Sequence, residues 1–142
     1  MTINDFLIRY NLHDCEICEI EQSGKITSVT FCLPRYLQSE KLNAEFSEFD
    51  AKEFPFIKLS ANFSGCKNFI IKEFNRDNKS YEETNQVIDA RVLCEEFISD
   101  EVVISEENTF DAIFSNKDKI VRFSFEFEEV CAVAKIHMNK DC

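Results

Sequence analysis

Val121-Arg122-Phe123-Ser124-Phe125-Glu126-Phe127 puts an apolar side chain at every odd position and a polar or charged one at every even position. Side chains of an extended chain point alternately to opposite faces, so a period of two describes a strand with one face buried and the other in water, as antiparallel sheets have. Just upstream, Phe110, Ala112 and Phe114 alternate with Asp111 and Ser115. Asn116 to Lys119 supplies turn chemistry between the two runs, and Phe110 to Phe127 is therefore predicted to be a hairpin. Downstream, Val130 to His137 is a denser run of small and β-branched residues and reads as a more deeply buried strand.

The first half follows the same pattern. Val29, Phe31 and Leu33 alternate up to Pro34, and Gln22, Ser23 and Gly24 form a short polar loop joining Cys15–Glu21 to Lys25. Within Cys15–Glu21 the apolar parity slips from positions 15 and 17 to positions 18 and 20, which predicts a β-bulge. Ile57, Leu59, Ala61 and Phe63 alternate again, Ser64 and Gly65 interrupt, and Phe69 to Phe74 resumes, giving at least six strands.

Two helices are predicted as well. Thr2 with Asp5 three residues on has the spacing of a helix N-terminus, and Phe6, Leu7 and Tyr10 make its apolar face before Asn11. Ser80 with Glu83 repeats that spacing, and Val87, Ala90, Cys94, Phe97 and Ile98 lie on one helical face. Val87 to Leu93 fits a strand equally, which leaves segment 87–98 open between helix and strand. The expected fold is one domain over residues 1–142, mainly β (α+β), a twisted antiparallel sheet or sandwich with one or two helices including a short N-terminal one.

Of 142 residues 44% are hydrophobic and 15 are Phe, which excludes a disordered chain. No apolar run reaches the roughly 20 residues of a membrane-spanning helix, and Met1 to Tyr10 has Asp5 in place of a basic segment leading into an apolar one. Seven cysteines (Cys15, Cys18, Cys32, Cys66, Cys94, Cys131, Cys142) form an odd set, most of them within apolar strings. They are expected to be reduced, and the protein cytoplasmic. A chain with 27 acidic and 16 basic residues is repelled by phosphate backbones and anionic lipid, so neither nucleic acid nor membrane is an expected partner.

Enzyme chemistry finds little footing. His13, Asp14, Cys15 and Cys18 are the one cluster with a chemical look, but one Cys-x-x-Cys and one His supply at most three of the four ligands that zinc needs. The plainer expectation is that His13 and Asp14 hydrogen-bond to backbone where the first helix meets the first strand. Two histidines, His13 and His137, and serines confined to turn sequences beside Gly24 and Gly65 offer no nucleophile elbow. Two glycines so far apart cradle no phosphate. The pairs Glu82-Glu83, Glu95-Glu96, Glu106-Glu107 and Glu128-Glu129 are too numerous to single out a glycosidase pair. No cofactor, metal or catalytic residue is expected.

What the chain does concentrate is charge. From Tyr81 to Phe114 stand Glu82, Glu83, Asp89, Glu95, Glu96, Asp100, Glu101, Glu106, Glu107 and Asp111 against one base, Arg91, so this stretch carries most of the net −11. Solubility alone needs no such asymmetry, and a field of one sign steers an oppositely charged partner. These ten residues are the candidate partner-binding set.

The opening helix, Leu12-His13-Asp14-Cys15-Glu16-Ile17 and the strand-turn-strand through Gly24, together with Ala61-Asn62-Phe63-Ser64-Gly65-Cys66, resemble bacterial immunity proteins of polymorphic and contact-dependent toxin systems. That resemblance implies a largely β, non-enzymatic protein that binds and blocks the toxin domain of a neighbouring gene, with no fixed set of binding residues. Independently, a nuclease-type toxin has a basic cleft that an acidic surface can occupy in place of phosphates. The expected function is thus an immunity protein neutralising a basic cognate toxin domain. One alternative is a phage-type DNA mimic that inhibits a host defence nuclease, which a phage operon in place of an adjacent toxin gene would favour. Another is a small hydrolase using His13 and Asp14, which would need the two side chains together in a pocket.

Overall fold

Val121, Phe123, Phe125 and Phe127 are all buried, and the residues between them are half-buried, as the alternation requires. The computed structural model describes residues 1–83 and 89–139. Along them run α1 (Ile3–Arg9), β1 (Glu16–Ser23), β2 (Ile26–Pro34), a 3-10 turn (Arg35–Leu37) and α2 (Glu40–Ala44). There follow β3 (Phe56–Ser64), β4 (Lys67–Asn75), β5 (Ser80–Glu83), α3 (Ala90–Glu96), β6 (Ile98–Ile104), β7 (Thr109–Ser115), β8 (Ile120–Glu126) and β9 (Glu129–His137). The strands pair antiparallel into two sheets, ordered β1-β2-β3-β9 and β5-β4-β8-β7-β6.

Phe63 of β3 is where the two sheets meet. Its ring lies 5.6 Å from Phe110 of β7, 5.6 Å from Phe125 of β8 and 4.8 Å from Phe127, mostly edge to face, as aromatic quadrupoles prefer. Phe6 of α1 adds a fourth ring at 6.4 Å. The buried side chains of both sheets and of all three α-helices form one continuous apolar core, so the fold is a mainly β sandwich with short helices.

The predicted hairpin is β7–β8, in register from Thr109 opposite Glu126 to Ser115 opposite Ile120. The predicted bulge is present, as a register shift between Ile17 and Glu19 in the β1–β2 pair. Thr2 caps α1, its hydroxyl accepting the Asp5 N–H at 3.1 Å.

Three readings change. Ser80 and Glu83 do not open a helix: they bound β5, which pairs with β4 so that Tyr81 faces Phe74, rings 5.2 Å apart. Local capping chemistry yields there to a cross-strand ladder, and Asp89 caps α3 instead, its side chain accepting the Arg91 N–H. Of segment 87–98, residues 87 and 88 lie outside the described residues, Ala90–Glu96 is helix, and a strand begins at Ile98. Finally β9 is an edge strand, not a deeply buried one. Its odd residues Cys131, Val133 and Lys135 are exposed, because an apolar run records composition and not position in the sheet.

The connection from β2 to β3 contains α2, which no periodicity announced. It is organised by Arg35, only 6% exposed, whose guanidinium donates to Asn43 Oδ1 (2.8 Å) and to the carbonyls of Phe46 (2.9 Å), Phe49 (2.9 Å) and Phe54 (3.3 Å). A buried cation needs its donors satisfied, and here backbone carbonyls do this where a carboxylate would be usual.

The chain passes between the sheets twice, after β3 and after β8, and the two passages lie side by side. Glu128 donates its N–H to Ser64 O at 2.8 Å, and a Cβ on Gly65 would stand 2.6 Å from the Glu128 side chain. Gly65 also has φ +65°, a conformation that glycine adopts without penalty.

Candidate functional site

Folding distributes the ten acidic residues over both edges of the five-stranded sheet. Glu82 and Glu83 are on β5, at one edge; Asp100 and Glu101 are on β6, at the other. Asp89 caps α3, Glu95 and Glu96 end it, Glu106 and Glu107 occupy the β6–β7 turn, and Asp111 is within β7.

Two of these charges face a base from outside the stretch, and a third pairs with Arg91 within it. Asp111, half-buried, is gripped by the Arg122 guanidinium, with Nε 2.8 Å from Oδ1 and a second contact through Nη2. Asp89 pairs with Arg91 at 2.8 Å, which holds its carboxyl below the usual range. Glu83 stands opposite Lys72 across the β4–β5 ladder. Glu82 faces Glu73 and accepts from Asn75 and Asn78. Asn116 donates to the Glu96 carbonyl at 3.3 Å, so the β7–β8 turn with its exposed Lys117 and Lys119 lies at the end of α3.

The fold also recruits acids from outside the stretch. α3 packs along β1, and the bulge at Ile17/Glu19 turns Glu19 and Glu21 outward beside it. Both are close enough to act electrostatically on α3, Glu19 on Cys94 and Glu21 on Arg91. Glu19 is held protonated to higher pH than a free glutamate, first through a hydrogen bond with Glu21, then through partial burial. The β1 end meets β6 directly, Ile17 donating its N–H to Ser99 Oγ at 2.8 Å. Exposed Glu19 and Glu21 of β1 are thus set beside exposed Glu95 and Glu96 of α3 and Asp100 and Glu101 of β6, the last four from the single run 95–101. Asp100 accepts the Ser115 hydroxyl.

His13 and Asp14 do lie together, Nε2 to Oδ2 at 3.5 Å, but at 73% and 64% side-chain exposure. His13 rims a groove of about 640 Å³ between α1 and β6. Ser39, on the same rim, already accepts the Leu42 N–H as the cap of α2. Among the described residues no three His, Cys, Asp or Glu side chains converge on a possible metal position. Burial pushes the Cys15 thiol up to about 12 and Cys94 up to about 11, so neither is a reactive thiolate near neutrality. Cys15, Cys66, Cys94 and Cys131 are free, whereas Cys18 is disulfide-bonded, against the expectation that every cysteine is reduced.

No protein-family model, curated protein or solved structure matches this chain.

Proposed function

We propose that the protein binds a basic protein partner through the carboxylates of β1, α3 and the start of β6, and that it serves as an immunity protein neutralising a nuclease-type toxin domain. The observation that carries this reading is the placement of Glu19 and Glu21 of β1 beside Glu95, Glu96, Asp100 and Glu101 of the continuous run 95–101, six exposed carboxylates from two distant segments on adjoining elements. Like charges so gathered repel one another, and that repulsion is relieved when a cationic surface covers them. Four of the ten acids take a smaller part: Asp89 and Asp111 are already paired, and Glu82 and Glu83 belong to the far edge of the sheet.

A polyanionic nucleic acid or an anionic lipid surface would be repelled by the same carboxylates. Among the described residues no helix is long and apolar enough to cross a membrane. The cytoplasm is the proposed compartment, supported by the free thiols at Cys15, Cys66, Cys94 and Cys131; the Cys18 disulfide weighs against it.

Co-expression tests the reading. The product of the adjacent gene, toxic when expressed alone, should be tolerated when this protein is present. Protection should fail when Glu19, Glu21, Glu95, Glu96, Asp100 and Glu101 are replaced by Gln and Asn in a protein that still folds. Full protection by that variant would overturn the assignment of the surface.

A further inference from the structure

The four sheet edges are not equally guarded. β5 is four residues long and carries Glu82 and Glu83; β1 is bulged and lies under α3; β9 has Lys135 and packs against α1. These are the devices by which proteins keep an edge from pairing with another chain. β6 is guarded only in its first half, by the bulge between Ser99 and Glu101 and by the contact of Ile17 with Ser99. Its second half, Val102-Val103-Ile104, is uncharged and borders the groove of about 640 Å³.

The register says which groups are open. Ser105 donates to Thr109 O at 2.9 Å, so Ser105, and by alternation Val103, direct their main-chain groups toward β7. Val102 and Ile104 therefore direct N–H and C=O away from the sheet, into the groove, where none of the described residues is bonded to them. The facing wall is mixed: Leu7 and Leu12 are half-buried there, Tyr10 is buried and Ile8 of α1 stands 82% exposed at the rim, while Asn11, His13, Gln38 and Ser39 supply its polar part. Beyond the wall the charge is negative. Glu101 shares the outward face with Val103, which is 51% exposed, Glu106 and Glu107 follow at the turn, and Arg9 is already tied to Glu45 at 2.6 Å.

From this we infer that the β6 edge is a strand-addition site: an extended segment of the basic partner pairs with Val102 and Ile104, apolar side chains toward Leu7 and Leu12, lysine or arginine side chains toward Glu101, Glu106 and Glu107. The inference rests on the proposed function and names how that partner is held. Backbone pairing supplies the affinity in this mode, and alternate side chains supply the choice of sequence. A second copy of this chain is a poor occupant, because antiparallel pairing of Val102 with Ile104 of the other copy would set Asp100 of each opposite Glu106 of the other.

A short synthetic peptide of alternating valine and lysine is the probe. It should bind at low salt and slow hydrogen exchange at the Val102 and Ile104 amides, while the same peptide N-methylated on the face that pairs should bind at least about tenfold more weakly. An alternating valine and glutamate peptide should not bind. Val102→Pro removes an outward donor without touching the β7 ladder and should weaken the lysine peptide by a similar factor. If that variant does not fold, the N-methylated peptide against the unaltered protein decides. Equal binding of the methylated and unmethylated lysine peptides would overturn strand addition while leaving the acidic surface standing. Binding of none of the peptides, protection confined to residues away from β6, or a β6-mediated dimer in sedimentation would also overturn it.

Discussion

Phe63 is ringed by Phe6, Phe110, Phe125 and Phe127, so its side chain bonds helix and both sheets into one core. Phe63→Ala leaves a cavity among rings that cannot collapse together without moving a strand, and should lower stability by about 3–5 kcal/mol in denaturant melts. A loss below about 1 kcal/mol would mean that the sheets do not meet there. Glu19 makes the opposite case, of a residue that works against the fold. Its carboxyl holds a proton to higher pH in the folded protein than in the unfolded chain, so its favourable contribution is present below the ordinary glutamate pKa of about 4.3 and is lost as pH rises through the folded value. Glu19→Gln, uncharged throughout, should therefore raise the melting temperature at pH 7 and change it little at pH 4. An equal shift at both, or a fall at pH 7, would show that Glu21 is not the cause. If Glu19 belongs to the partner surface, the same variant is more stable and binds more weakly.

At the scale of elements, the two passages between sheets are the least replaceable pieces. Gly65 sits at φ +65° with its missing side chain occupied by Glu128, so Gly65→Ala should cost about 1–2 kcal/mol for backbone strain alone, and more for displacing Glu128. Adding Glu128→Ala should recover the contact part and not the strain part in a double-mutant cycle of urea melts. Full recovery would place the whole effect in the contact. These passages also mark how far the sequence could be read. Strands with strict alternation, β3, β7 and β8, were legible because a period of two needs no knowledge of the partner strand. The β1 bulge was legible from the parity slip at Cys15–Glu21. α2 was not, because five residues span barely more than a turn and Arg35 holds the surrounding loop from outside it. Nor was the exposure of β9, which depends on being last in its sheet.

Over the whole molecule, the acidic stretch was legible as composition but not as a surface. Arg122 and Lys72 reach Asp111 and Glu83 only through strand pairing, while Glu19 and Glu21 join α3 only through a bulge in a distant segment. The groove between α1 and β6 has no linear signature, since its walls come from three segments far apart in sequence, residues 7–13, 37–39 and 102–104. If the carboxylates of β1, α3 and β6 steer a basic partner, the association kinetics across salt carry their signature. Exposed carboxylates act mainly on the rate of encounter, and the Debye length falls from about 10 Å at 0.1 M salt to about 3 Å at 1 M. The association rate constant of the partner should fall steeply with salt for the unaltered protein. Replacing Glu19, Glu21, Glu95, Glu96, Asp100 and Glu101 by Gln and Asn should lower it by about tenfold or more at low salt and leave it nearly unchanged at 1 M. Identical rates for the two proteins at low salt would contradict the account.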